Sequence, residues 1–151
     1  MKLAEALQER ADLKRNIMNL RGRLERVVLV QEGEEPVEDP RALLKELDES
    51  ISRMEYLMAA INHSNDVTKV KGMTLTGLIA KKDALLLKLA AYKDLVREAG
   101  YITSRASGTE IRVIAVVKAS ELQKEVDRMS KEIRMLDNAL QETNWTVDLV
   151  E

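Results

Sequence analysis

The sequence predicts a mainly α fold: an antiparallel four-helix bundle of long heptad-patterned helices, with a small β-ribbon and a strand-like C-terminal tail. Three observations carry this expectation. Four stretches place apolar residues at alternating spacings of three and four, the period of helix seams. Only two Pro and six Gly interrupt 151 residues. Phe is absent, with one Trp and three Tyr, so Leu, Ile, Val, Met and Ala must fill the core, as in helix-on-helix packing.

Length and a 45% hydrophobic content fit a single helical-bundle domain over residues 1–151. The formal charge is −2, from 24 basic and 26 acidic residues mixed along the chain. It gives no broad electrostatic reason to expect nucleic acid or an anionic membrane as a partner. Without cysteine there is no disulfide, thiolate nucleophile or thiolate metal site. The charged, amphipathic opening Met1–Arg10 lacks the apolar run of an export signal, and no window approaches a membrane span. A cytoplasmic protein is expected.

The first helix carries Leu3, Ala6, Leu13, Ile17, Leu20, Leu24 and Val27, with Arg10 in the slot that completes the pattern. The β-branched run Arg26–Gln31 then reads as a short strand. The acidic stretch Glu32–Glu38 reads as a solvated loop. Asp39-Pro40 opens the second helix: Asp caps free amides, and Pro has no N–H to leave unpaired. Leu43, Leu47, Ile51, Met54, Met58 and Ile61 form its expected seam, which Asn62-His63-Ser64-Asn65-Asp66 ends. Gly72 helps to close the connection to the third helix. That helix starts near Thr74, carries Leu75, Leu78, Leu85, Leu89, Tyr92 and Val96, and stops at Gly100.

Glu110–Val117 reads as a second strand. Ser120 with Gln123 has capping-box spacing ahead of the fourth helix, whose seam of Leu122, Val126, Met129, Ile133, Leu136 and Leu140 is the cleanest of the four. In the tail, Trp145, Val147 and Leu149 alternate with Thr146 and Asp148, a strand period. Helices of about 24 residues are roughly 36 Å long, and short connections favour antiparallel neighbours. That arrangement brings the strands around Val28 and Val113 to one end. A two-stranded ribbon is marginal by itself, so helix ends or another subunit should cover it.

The opening MKLAEALQERADLK, the stretch VQEGEEPVEDP, INHSN followed by LT, LQKEVD and the closing LDNALQETNWTVDL together span nearly the whole chain. On these motifs the sequence resembles an uncharacterised bacterial family whose members are sometimes labelled septicolysin. The resemblance implies no established biochemical activity. The label would imply a secreted cytolysin, whereas this sequence has neither an export signal, nor a thiol, nor a membrane-inserting stretch.

Candidate chemistry gathers where the second helix gives way to the third. Asn62, His63, Asn65, Asp66 and Thr68 collect donors, acceptors and the sole histidine, a speculative ligand site. One His and one Asp do not fill a metal shell, so neither metal nor cofactor is expected. Glu46 and Glu49 have the E-x-x-E spacing of magnesium-binding pyrophosphohydrolases. No matching acidic pair follows on the next helix, and the solvated-face reading is preferred. Arg10 and Lys82 occupy seam slots, where such residues either fix register or extend their ends to water; extension to water is preferred.

Apolar residues outside the seams, among them Leu44, Leu57, Ile79, Leu86, Leu87, Met135 and Ala139, widen the faces available to a partner. The strands and the tail add unpaired edges. Val28, Val30, Val113, Trp145, Val147 and Leu149 are therefore expected at an oligomer interface, in a dimer-based homo-oligomer. The leading functional reading is an oligomeric structural or interaction protein. Its rival is a ligand-binding protein or enzyme with its site at the connection between helices two and three.

Overall fold

The structure is a computed structural model and describes residues 1–100 and 111–151. It is mainly helical: α1 (Leu3–Val27), α2 (Pro40–Val67), β1 (Lys69–Val70), β2 (Met73–Thr74), α3 (Leu75–Ala99) and α4 (Ala119–Thr146) follow in that order. The chain forms two compact units, residues 1–69 with 142–151, and residues 70–141. No helix among the described residues is long and apolar enough to cross a membrane.

In the first unit α1 and α2 lie antiparallel. Glu9 meets Arg53, Asn16 meets Glu46 and Ser50, and Arg23 meets Glu38, so residue numbers rise on one helix as they fall on the other. Leu20, Val27 and Leu43 are buried together, with Leu24 and Leu47 packed on them. In the second unit the start of α3 at Leu78 lies beside Leu136 and Ala139 and its end at Leu95 lies beside Leu122, which sets α3 antiparallel to α4; Lys81 meets Glu132 and Lys82 meets Asp137 between them. Leu89, Val126 and Met129 form the buried cluster there, flanked by Leu85, Tyr92, Val96 and Ile133.

Several helix ends are those the sequence signals. Asp39 accepts a hydrogen bond from the Arg41 amide at 3.0 Å, with Pro40 in the first turn. Thr74 Oγ1 accepts from the Gly77 amide at 3.1 Å, capping α3. Gly100 does end α3, but in a right-handed conformation (φ −76°). The second strand element is a surprise. Lys71 and Gly72 have φ of 51° and 83°, the paired positive values of a type I′ turn, and they join β1 to β2 in a two-residue hairpin.

Four expectations are corrected. The first strand is absent, because α1 continues through Val27. Val27 completes the heptad and is buried, and that burial outweighs the β preference of a branched side chain. Residues 111–118 form no extended strand among the described residues, with only a single bridge position at Arg112, and Glu110 lies outside the described residues. Ser120 lies inside α4, while Gln123 donates to Asp127 at 2.9 Å. The helix ladder begins at the backbone carbonyl of Lys118, which accepts from the Glu121 and Leu122 amides at 3.1 and 3.2 Å. Finally, α4 runs on through Trp145 and Thr146, so strand-like pairing begins only at Val147.

Candidate functional site: two unequal flanks of the first hairpin

The seam between α1 and α2 decides what each flank presents. On α2 the buried residues are Leu43, Ser50, Leu57, Ala60, Ile61 and Ser64, so Ser50 and Leu57 hold the seam slots expected for Ile51 and Met58. Ile51 and Met58 are 46% and 50% exposed. In heptad terms α1 places Leu3, Arg10, Ile17 and Leu24 at a, and Ala6, Leu13, Leu20 and Val27 at d. On α2, Leu47, Met54 and Ile61 take a, while Leu43, Ser50, Leu57 and Ser64 take d.

One flank is a polar ladder. Glu9, Asn16 and Arg23 recur every seven residues along the g edge of α1. Arg53 grips Glu9 with two hydrogen bonds of 2.7 and 3.0 Å, and its guanidinium also lies over the Tyr56 ring. Asn16 Nδ2 reaches Glu46 and Ser50, each at 3.4 Å. Arg23 Nε donates to both Glu38 oxygens at 3.2 and 3.1 Å. The hydrogen bond from Arg53 holds the Glu9 carboxyl below the usual carboxylate range despite some burial. Arg23 does the same for Glu38.

The opposite flank is open. At the e positions α2 carries Leu44, Ile51 and Met58, seven residues apart, all about half exposed. An apolar groove of about 570 Å³ runs beside them, lined by Ile17, Met18, Met54 and Met58, with Arg10 and Lys14 on its α1 rim. Two-stranded seams normally carry charged residues at e. A helix apolar at a, d and e is built to touch more than one neighbour.

The expected polar ligand cluster falls on the C-terminal end of α2 and not on a loop. Asn62, His63, Asn65 and Asp66 lie on the last turns of α2 and Thr68 is its C-cap. Asn62, His63 and Asp66 are exposed, whereas Asn65 and Thr68 are half-buried. The residue that matters here is Ser64, which is fully buried. Its hydroxyl donates to Ala60 O at 2.8 Å and accepts from the Val150 amide at 2.8 Å. Its only sequence signal is seven-residue spacing from Leu57, a slot where a hydroxyl is easily read as a helix terminator.

Ser64 anchors a clasp between the chain ends. Leu3 N donates to Val147 O at 3.0 Å and Leu149 N to Met1 O at 2.8 Å. Lys2 and Asp148 form an antiparallel bridge and an ion pair at 2.9 Å, which holds the Asp148 carboxyl below its usual range. Burial and the Glu151 carboxylate push the Tyr56 phenol up. Val147 and Leu149, expected at an interface between chains, thus use these backbone groups within one chain. Trp145 is 58% exposed on the last turn of α4. Val28 and Val30 are exposed beyond α1, and Val113 is exposed outside any strand.

Lys82 sits in the α3 seam and pairs with Asp137, so it ties two helices together instead of only reaching for water. Glu46 and Glu49 have separate partners, Asn16 and Lys45. Among the described residues no three His, Asp or Glu side chains are grouped to hold a metal ion.

Comparison with known proteins agrees with a conserved architecture and supplies no activity. The chain is similar to a functionally unknown conserved protein from Corynebacterium diphtheriae, known from its crystal structure. The two are 39% identical over 99% of each chain, with a TM-score of 0.88. No curated protein matches. Residues 10–149 match a family of unknown function, DUF6847, and the chain belongs to that family.

Proposed function

We propose that this protein is a self-associating helical scaffold whose first hairpin supplies the contact surface. One observation carries the reading: the regular apolar stripe Leu44, Ile51 and Met58 stays half exposed beside a groove that also bares Met18. Full burial of such a side chain contributes about 1.5–3 kcal/mol, so covering the remaining half of each contributes roughly 1 kcal/mol. A patch repeating over two heptads therefore favours a helical partner over an isolated hairpin. The four-helix bundle expected from the heptads is, in this reading, completed between chains.

Solution mass tests it. Sedimentation from about 1 to 100 μM should show a species heavier than the 17.1 kDa chain, and Ile51→Glu with Met58→Glu should return it to the single-chain mass with helicity kept. A wild-type protein that stays at the single-chain mass throughout overturns the proposal.

A further inference from the structure

The two rims of the open groove differ in charge, and that difference selects one way for two copies to meet. On the α1 side stand Arg10 and Lys14. On α2, just outside the apolar stripe, stand Asp48, between Leu44 and Ile51, and Glu55, between Ile51 and Met58; both are exposed. None of these four side chains has an ion-pair partner among the described residues. The ladder on the other flank fixes their levels. Because Glu9 lies beside Arg53, Arg10 stands level with the turn that carries Glu55. Because Asn16 lies beside Glu46 and Ser50, Lys14 stands level with the turn that carries Asp48.

We propose that a second copy of this chain occupies the groove about a two-fold axis parallel to it, so that α1 of each copy lies on α2 of the other and the two hairpins close a four-helix bundle. This rests on the self-association proposed above and adds its geometry. A two-fold axis along the groove exchanges left and right but keeps height, so it sets Arg10 against Glu55 and Lys14 against Asp48 of the second copy, each contact occurring twice. The other available two-fold, across the groove, would set α1 on α1 and bring the cations at Arg10 and Lys14 together. Complementary rims fix register and exclude the wrong pairing more than they add affinity, while the Leu44, Ile51 and Met58 stripe supplies the buried area.

The chain has no cysteine, which makes cross-linking unambiguous. Lys14→Cys and Asp48→Cys are prepared as separate full-length proteins and treated with a bismaleimide of about 10 Å reach. The expected result is a strong cross-linked dimer only when the two variants are mixed, and little when either is treated alone. Lys14→Cys linking to itself as well as in the mixture would overturn the axis. If sedimentation shows association but neither mixture nor single variant cross-links, a different surface mediates it and this geometry fails while self-association stands. A wild-type chain of single-chain mass removes both. As a second readout, Lys14→Glu and Asp48→Lys should each weaken association about tenfold at low salt, and the double variant should recover most of the loss. Equal weakening in the double variant also overturns the pairing.

Discussion

The two helical hairpins share one heptad period and keep their register by different means. In α1/α2 the polar contacts run along one edge of the seam as rungs, Glu9 to Arg53, Asn16 to Glu46 and to the seam hydroxyl of Ser50, and Arg23 to Glu38. In α3/α4 a charged seam residue itself makes the cross-helix contact, where Lys82 reaches Asp137, with Lys81 to Glu132 alongside. A ladder confined to one flank leaves the other free for a row of apolar side chains. A lysine within the seam instead occupies a slot that a hydrocarbon would fill. Equal periodicity therefore does not mean equal surfaces: the first hairpin sets three polar rungs on one flank and the row Leu44, Ile51 and Met58 on the other.

Core truncation should separate the hairpins most sharply. Leu57→Ala removes a fully buried side chain from the first and should cost about 2–5 kcal/mol. Hydrogen exchange should then show amides of α1 and α2 losing more protection than those of α3 and the first turns of α4. Met129→Ala, at an equally buried position of the second, should reverse that order. Uniform loss from both variants would mean that the two units unfold as one.

Ser64→Ala is the next largest. It leaves the Val150 amide without its side-chain acceptor, at about 1–3 kcal/mol, and exchange at Val150 and Leu149 should quicken before the α1/α2 core is affected. The contrast between register devices is tested by Asp137→Asn, which leaves Lys82 charged and half-buried without its carboxylate and should lower stability by about 1 kcal/mol in denaturant titration. Lys82→Leu should be neutral or stabilising, since hydrocarbon can replace a partly desolvated pair.

Acid gives the smallest effect. Glu9, Glu38 and Asp148 are held below their ordinary pKa values by Arg53, Arg23 and Lys2. Carboxyls with depressed folded-state pKa stabilise the fold above about pH 5, and that contribution fades as pH falls through the lowered values. Exchange protection in α1/α2 should therefore decline between about pH 5 and pH 2, and Arg53→Gln should flatten part of that decline. All three groups are largely solvated, so the slope should be shallow and salt-sensitive.

Legibility in the sequence followed how uniquely apolar residues marked each seam. The α4 seam from Leu122 to Leu140 is found as read, because few competing apolar residues flank it; its next slot, Thr143, is also buried. In α2 two stripes overlap, one through Leu43, Leu47 and Leu57 and one through Leu44, Ile51 and Met58. Hydrophobicity alone favours Ile51 over Ser50, although Ser50 faces α1 within reach of Asn16. The same bias hid Ser64. At Val27–Val30 the local β preference was real, yet it lost at Val27 to burial and found no partner strand beyond. The wider α2 face was visible in part as Leu44; its regularity emerged only once Ser50 fixed the true seam.

The clasp at the ends has a topological consequence. With Met1 bonded to Leu149 and Leu3 to Val147, the backbone from residue 1 to residue 151 nearly closes into a ring, so it can be joined there and opened elsewhere. A short glycine bridge from Glu151 to Met1, with new ends cut near the fully exposed Val37, should preserve the hairpins, because the severed connection lies outside both helices. Bulky tags fused directly to Met1 or Glu151 would, by contrast, crowd the point where the two ends meet, and belong more safely at that exposed connection.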